Sequence, residues 1–218
     1  MYPIKQPSIE NYFLRNGHLL KYKPGQVIIN PQEDPRGVYY VINGHLKIYT
    51  ISYRGNEKII GYLKPRDIFP LLWVTGNFNP TSCYETIGAT ELICVNKDNL
   101  FHYIHTNLAA LQEICFYQAQ MLALLGERVN TLFQESVQQR VIYQLICITK
   151  VLGIRKETNY SLEIPVSFDQ IAALINTTRE SVSKVMQELI KKKIIAHAYN
   201  SLTITDYPAL CEQLLSNS

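Results

Sequence analysis

Residues Ser167 to Lys193, SFDQIAALINTTRESVSKVMQELIKKK, constrain the fold more than any other part of the chain. Ser167 with Gln170, and Thr177 with Glu180, both fit the S/T-x-x-E/Q capping box, in which two side chains satisfy orphan backbone donors at a helix start. Two such boxes in quick succession predict a short helix from Phe168 to Leu174 and a second helix after Thr177. Ile171, Leu174, Val182, Val185 and Leu189 recur at helical spacing and give the pair one shared apolar side. Ala172 is small enough to let the helices cross closely. Asn176 falls in the turn, and asparagine tolerates the left-handed backbone conformation. Arg179, Glu180, Ser183 and Lys184 are then left facing outward. Arginine and lysine can donate to guanine, glutamate can accept from cytosine N4, and serine can reach a base or a phosphate. The second helix therefore has the length and polarity to lie in a DNA major groove.

A capped helix pair can also be a hairpin in an unrelated core with a solvated charged side. The flanks favour the first reading. Lys191, Lys192 and Lys193 close the second helix, where cations suit the dipole. Ile194 to Tyr199, a turn at Asn200-Ser201, and Leu202 to Thr205 then read as a two-stranded wing. Asn176 to Asn200 holds five Lys/Arg against two Asp/Glu, a mild positive concentration suited to phosphate contacts.

Upstream, the chain reads as β structure. Pro24-Gly25, Asn43-Gly44 and Arg54-Gly55-Asn56 are turn signals between runs rich in Val, Ile and Tyr. The runs are Val27–Ile29, Val38–Ile42, Leu46–Ile51 and Lys58–Leu63, followed by Cys83–Ala89 and Glu91–Val95. Short strands at this spacing predict a sandwich or barrel. Most of the 15 tyrosines sit in or near these runs, where a half-buried core accounts for them.

A long helix follows, from about Asn107 to Phe133. Leu108, Leu111, Cys115, Gln118, Leu122, Leu125, Val129 and Leu132 alternate in steps of three and four, an a/d heptad seam with one polar break at Gln118. A second stripe of Ala110, Ile114, Tyr117, Met121 and Leu124 is expected to pack on the β domain. A core helix buried on two sides is the alternative to a dimer seam. Ser136 with Gln139 is another capping box, so a break near 134–136 marks a domain boundary. Arg155 to Asn159 reads as an exposed loop leading to a short strand before the helix-turn-helix.

Composition narrows the function classes. The five cysteines are scattered, odd in number and free of any C-x-x-C, which argues against a disulfide framework, a zinc site or an iron–sulfur cluster. No nucleophile–base set, metal spacing or glycine-rich phosphate loop appears, so an enzyme is not expected, nor is a cofactor. No run of about 18 apolar residues is present, so no membrane partner is expected. The start, MYPIKQPSIENYF, has no signal-peptide apolar region, and the default location is the cytoplasm.

In this order, the parts resemble the Crp/Fnr family of bacterial transcription regulators along essentially the whole chain. Tyr22 to Ile28 and Gly37 to Ile48 resemble that family's cyclic-nucleotide-binding-type β-roll. Arg179-Glu180-Ser181-Val182-Ser183-Lys184 matches its recognition signature, with Lys184 where arginine is commoner. The resemblance implies an α+β fold with an N-terminal, cupin-like double-sheet β-roll (1–106), a dimerisation helix (107–135) and a C-terminal winged helix-turn-helix (136–218). It implies a homodimer on a pseudo-palindromic double-stranded DNA site, with RNA polymerase as a further partner if the protein is an activator. Arg179, Glu180, Ser183 and Lys184 would read bases, and Ser167, Thr177 and Thr178 would lie near phosphates at helix starts. The departures concern the effector. Family members responsive to cyclic AMP use a Gly-Glu pair for the ribose and an Arg-Ser pair for the phosphate. Here Pro70-Leu71 and Thr81-Ser82 stand at those places, and Leu125-Gly126 replaces the hydroxyls that meet the base. Without the arginine, a charge-assisted bidentate contact is lost. Pro70, Leu71, Leu72, Trp73, Thr81, Ser82, Tyr84 and Leu125 would line a pocket for a small uncharged or aromatic effector, not cyclic AMP, or Trp73 and Leu125 would simply fill it. Cluster cysteines near the N-terminus are absent, and His18, His45, His102 and His105 read as surface or capping residues rather than haem ligands. The alternative function is a nucleotide- or small-molecule-sensing β-roll protein with weak or lost DNA binding.

Overall fold

The computed structural model describes residues 8–215 apart from 32, 54, 56, 133–135, 157–158, 163–166 and 199–200. It comprises two compact units, Met1–Thr50 with Ile60–Leu125, and Ile51–Ile59 with Gly126–Ser218.

The first unit opens with helix α1 (Ser8–Asn16), followed by strands β1 (His18–Tyr22), β2 (Val27–Ile29), β3 (Val38–Asn43), β4 (Leu46–Ile51), β5 (Glu57–Leu63) and β6 (Ile68–Phe69). A short helix α2 (Leu71–Thr75), strands β7 (Cys83–Thr86) and β8 (Thr90–Val95), helix α3 (Lys97–Thr106) and the long helix α4 (Leu108–Leu132) complete it. One sheet runs β1-β8-β3-β6 and the other β2-β7-β4-β5. The two sheets form the expected roll. Its predicted hairpin at Asn43-Gly44 is present. Gly44 has φ 86°, and a Cβ there would meet the Ala89 carbonyl oxygen at 2.6 Å, so both conformation and space require glycine. Thr86, almost fully buried, donates to the Lys23 carbonyl at 2.6 Å and accepts from the Gln26 N–H at 3.0 Å, which pins the Pro24-Gly25 turn.

Two apolar clusters hold this unit. Between the sheets lie Ile29, Tyr39, Val41, Leu46, Leu63, Phe69 and Leu92. The rings of Tyr39 and Phe69, and of Phe69 and Tyr84, stack with centroids 5.2 Å apart. The second cluster joins Val38, Tyr40, Ile93 and Val95 to Ile9 and Phe13 of α1, Leu100 and Ile104 of α3, and Ala110 and Ile114 of α4. Part of the stripe expected to pack on the roll does so: Ala110 and Ile114 are buried and Tyr117 packs against them. Leu124 does not, and stays 46% exposed. Helices α1 and α3 and strand β1 were not foreseen in the sequence.

The second unit contains α5 (Val137–Leu152), β9 (Gly153–Lys156), β10 (Asn159–Leu162), α6 (Phe168–Leu174), α7 (Arg179–Lys191), β11 (Ile195–Ala198), β12 (Ser201–Ile204) and α8 (Tyr207–Leu215). The Ser136–Gln139 box forms, with the Gln139 N–H 3.1 Å from the serine oxygen. Of the loop expected at Arg155–Asn159, Arg155 and Lys156 instead end β9 and Asn159 opens β10, the short strand expected after the loop; Asn159 pairs with Lys156 and Tyr160 with Arg155, and residues 157–158 lie outside the described ones. Strands β9 and β10 extend the two-stranded wing into a sheet ordered β11-β12-β10-β9. Helix α5 packs against α7 and α8, burying Val141, Ile142, Leu145 and Ile148.

One stretch, Leu108–Gly126, is long and apolar enough by length and composition to cross a membrane, with mean hydropathy 1.3 over 19 residues. The expectation that no such stretch exists is corrected on that point. Its apolar character is divided between the stripe packed on the roll and a second stripe described below, which suits a helix between protein surfaces.

Candidate nucleic-acid interface

Helices α6 and α7 follow the predicted spans closely. Ser167 caps α6 with a complete capping box, its oxygen accepting from the Gln170 N–H at 3.2 Å while the Gln170 side chain accepts from the Ser167 N–H at 2.9 Å. The turn passes through Asn176 at φ 51°, the left-handed conformation its side chain tolerates. Ile171, Ala172, Leu174, Val182, Val185, Met186 and Leu189 are buried, so the shared apolar side is real.

The start of α7 differs from expectation. Thr178, not Thr177, is the N-cap, and its hydroxyl accepts from the Ser181 N–H at 3.3 Å. The Thr177 N–H is already bonded to the Ala172 carbonyl at 3.0 Å, which places Thr177 in the turn. Glu180 therefore has no partner box with Thr177. Its carboxyl is held below the usual carboxylate range by its own backbone N–H, then by the Thr178 hydroxyl, so it remains an acceptor.

Arg179, Glu180 and Lys184 are exposed and Ser183 is half-exposed, all on the side of α7 away from its buried residues. Gln187, one turn beyond Ser183 and Lys184, is also exposed. The Arg179 Nε lies 3.7 Å from an Asp169 carboxylate oxygen of α6, both side chains being 66% exposed. His197 of β11 sits against the Phe168 ring, centroids 4.9 Å apart. Asp169, Gln187 and His197 were missed in the sequence. Gln187 was legible there as the next outward position on the helix; the other two depend on packing across the chain.

Two residues past the end of α7, beyond the C-cap Lys192, the chain turns sharply. Lys193 has φ 58°, and the Ile194 N–H returns to the Leu189 carbonyl at 3.0 Å. The Lys193 carbonyl accepts from the Thr205 hydroxyl at 2.6 Å and the Ile194 carbonyl from the Thr205 N–H at 3.0 Å. Both ends of the wing hairpin are thus tied to the end of α7. Of the wing turn expected at Asn200-Ser201, Asn200 lies outside the described residues, and Ser201 belongs to β12, paired with Ala198.

The residues expected to line an effector pocket are distributed differently. Leu71 is buried in the cluster under α1 and α4, with Trp73 packed against it. The Lys97 ammonium stands 4.3 Å from the centre of the Trp73 ring. Leu72 and Leu125 are more than half exposed, Thr81 is exposed, and Pro70 and Ser82 are buried. Tyr84 joins the stacked rings between the sheets. That interior is filled by Tyr39, Phe69 and Tyr84 rather than by Trp73 and Leu125.

Along α4, Leu108, Leu122, Leu125 and Val129 are at least half exposed, Leu111 is 37% exposed, and Cys115 is exposed. Gln118 is not simply a polar break in this stripe, because its amide donates to the Thr75 hydroxyl of α2 at 2.8 Å. The Leu132 side chain lies outside the described ones.

A winged helix-turn-helix with a polar, partly basic reading helix, preceded by a cyclic-nucleotide-binding-type roll, defines a DNA-binding regulator. The chain matches the cyclic nucleotide-binding domain over residues 19–107 and the Crp-like helix-turn-helix domain over residues 139–213. It belongs to the Crp/Fnr family of DNA-binding transcription regulators. The cAMP-activated global transcriptional regulator CRP of Haemophilus influenzae is 24% identical over 206 residues, spanning 94% of this chain and 91% of the relative. The transcriptional activatory protein AadR of Rhodopseudomonas palustris is 21% identical over 200 residues, or 92% of this chain and 82% of the relative. The solved structure of FixK2 from Bradyrhizobium japonicum shares the fold with a TM-score of 0.78 at 18% identity, covering 90% of this chain and 96% of that one.

The position of the α7 cap is testable. Thr178→Ala removes the acceptor for the Ser181 N–H and is expected to lower stability by about 1 kcal/mol in chemical denaturation. Thr177→Ala is expected to leave the midpoint unchanged. The reverse order would return the cap to Thr177.

Proposed function

We propose that the chain acts in the cytoplasm as a homodimeric, sequence-specific transcription factor without enzymatic activity. Two copies of α7 enter successive major grooves of a pseudo-palindromic site, with half-sites ~34 Å apart. The observation that carries the DNA-reading part is the exposure of Arg179, Glu180 and Lys184 on one side of a helix whose other side is buried. Arg179, Glu180, Ser183 and Lys184 read base edges, with Gln187 extending the row. Ser167 and Thr178 at the starts of α6 and α7, and Thr177 in the turn between them, stand beside phosphates, where the positive ends of the helix dipoles favour anions. RNA polymerase is the further partner where the protein activates.

The dimer reading is supported by the open stripe on α4. A row of leucines at heptad spacing, left more than a third exposed, is the pattern a second copy of the same helix covers. Selectivity against cyclic AMP is supported by the missing phosphate arginine and by the rings of Tyr39, Phe69 and Tyr84, which already fill the space between the sheets. The proposed effector pocket takes in Pro70, Leu71, Leu72, Trp73, Thr81, Ser82, Tyr84 and Leu125. A ligand there would have to displace packed side chains.

Three outcomes follow. In selection from a random DNA pool, Glu180→Ala should relax the preference at one base position per half-site by roughly tenfold, and Arg179→Ala should lose a specific guanine. Uniform weakening by both would mark backbone contacts instead. Leu122→Asp places an unpaired charge in the seam and should give monomers in sedimentation with loss of tight operator binding; a dimer of normal affinity would move the interface elsewhere. Millimolar cyclic AMP should leave both the melting temperature and operator affinity unchanged, because stabilisation follows affinity for the folded state. A rise of several degrees would reveal a phosphate donor in place of the arginine.

A further inference from the structure

A cavity of about 210 Å³ lies between α1, the strands β3 and β6, and α4. It is separate from the interior of the roll. Its floor is apolar: Ile9, Ile68 and Ile114 contribute to it and are each at most 7% exposed, with Phe116 forming a wall. Its mouth carries opposite charges. The Arg66 guanidinium stands 3.5 Å from the Glu10 carboxylate, with side chains 69% and 30% exposed. The Tyr40 hydroxyl hydrogen-bonds with Glu10, and burial followed by that carboxylate pushes the phenol up to about 12. A further carboxylate on the wall, Glu113, is already committed: it accepts from the Ser8 N–H at 2.6 Å and the Ile9 N–H at 3.1 Å, capping α1. Glu10 and Arg66 therefore remain as the charges available at the mouth.

Arg66 is held in place by a tight turn. It sits at φ 80° at the third position of the Lys64–Asp67 turn, which follows Pro65 and is closed by the Asp67 N–H on the Lys64 carbonyl at 3.1 Å, and its own N–H is fixed to the Val41 carbonyl at 2.8 Å. That backbone geometry sets its side chain at the cavity mouth. A long, exposed pair of this kind is weak. It opens readily for a ligand that offers each member a charge-assisted partner. The volume lies below the ~300–1,000 Å³ typical of drug-sized sites, which restricts the occupant to a small metabolite.

We propose that this cavity binds a free apolar α-amino acid, with Glu10 taking the ammonium group, Arg66 the carboxylate, and Ile9, Ile68 and Ile114 the side chain. The zwitterion inserts into the Arg66–Glu10 pair so that the four charges alternate in sign, and the branched or single-ring side chain enters the apolar floor. Occupancy is felt by α4, which supplies Ile114 and Phe116 to the site. The Tyr117 hydroxyl of α4 also accepts from the Ile68 N–H at 3.4 Å and hydrogen-bonds with Asp67 beside Arg66. Any consequence for DNA binding rests on the dimeric reading above; binding itself does not.

The test is isothermal titration calorimetry of the full chain without DNA, using L-leucine, L-isoleucine and L-phenylalanine as probes. Isoamylamine and 4-methylpentanoate serve as single-charge analogues. Saturable binding of at least one amino acid is expected, with both analogues weaker by about tenfold or more. Glu10→Gln and Arg66→Gln should each weaken binding of that amino acid by about tenfold, while circular dichroism and melting temperature stay those of the parent. No binding by any of the three amino acids at millimolar concentration overturns the proposal. So does equal binding of either analogue, or an effect confined to one of the two variants. Because DNA is absent, failure here leaves the DNA-binding reading standing, and failure of operator binding leaves this site standing.

Discussion

Helix α4 carries two apolar stripes, and the first unit covers only one of them. Ala110 and Ile114 are buried against the roll, while Leu108, Leu122 and Leu125 remain more than half exposed. Apolar burial at roughly 25 cal/mol per Å² makes the packed stripe the anchor that sets the rotation of the helix about its axis. Once that rotation is set, the direction of the second stripe follows, since residues three and four apart share a side. Ala110 contributes by being small enough for the helix backbone to approach the roll, and Gln118 reinforces the same rotation through its hydrogen bond to Thr75. An open seam is thus a consequence of how the helix docks, and no additional feature is needed to expose it.

The helix-turn-helix was legible in the sequence because its determinants are local. Capping groups, helical spacing and a left-handed asparagine all act within a few residues of one another, and the span of α6 came out as read. The error at Thr177 has a physical origin. Thr177 and Thr178 are each followed three residues later by a polar side chain, and the choice between them is made by the bond from the Thr177 N–H to the Ala172 carbonyl. Local pattern cannot see that bond. Strand β1 was missed for a related reason: HLLKY is mostly exposed or half-exposed, and its partners lie far along the chain at Thr90 to Cys94. Helix α3 is different, because Asn96 caps it by accepting from the Asp98 and Asn99 N–H groups, a signal that was present in the sequence.

The interior of the roll shows where resemblance reaches its limit. Overlaying positions on a family identifies which residues stand at a binding site but says nothing of volume. Phe69 comes from a strand of two residues, too short to stand out in any pattern, yet it stacks on both Tyr39 and Tyr84. The aromatic content was apparent from composition; the column it forms depends on strands β3, β6 and β7 meeting across two sheets. The cavity beside α1 was illegible for the same reason, since Glu10, Arg66 and Glu113 come from three distant segments.

The clamp at the end of α7 has a mechanical consequence. Lys193 turns the chain sharply, and Thr205 then fastens the far end of the wing to Lys193 and Ile194. These short hydrogen bonds leave little slack between the end of α7 and the two ends of the wing. On the proposed interface, a misfit at this junction would fall to the duplex, whose compliance varies with base step. Base pairs that no side chain touches would thereby weigh on the choice of site, through how readily they bend.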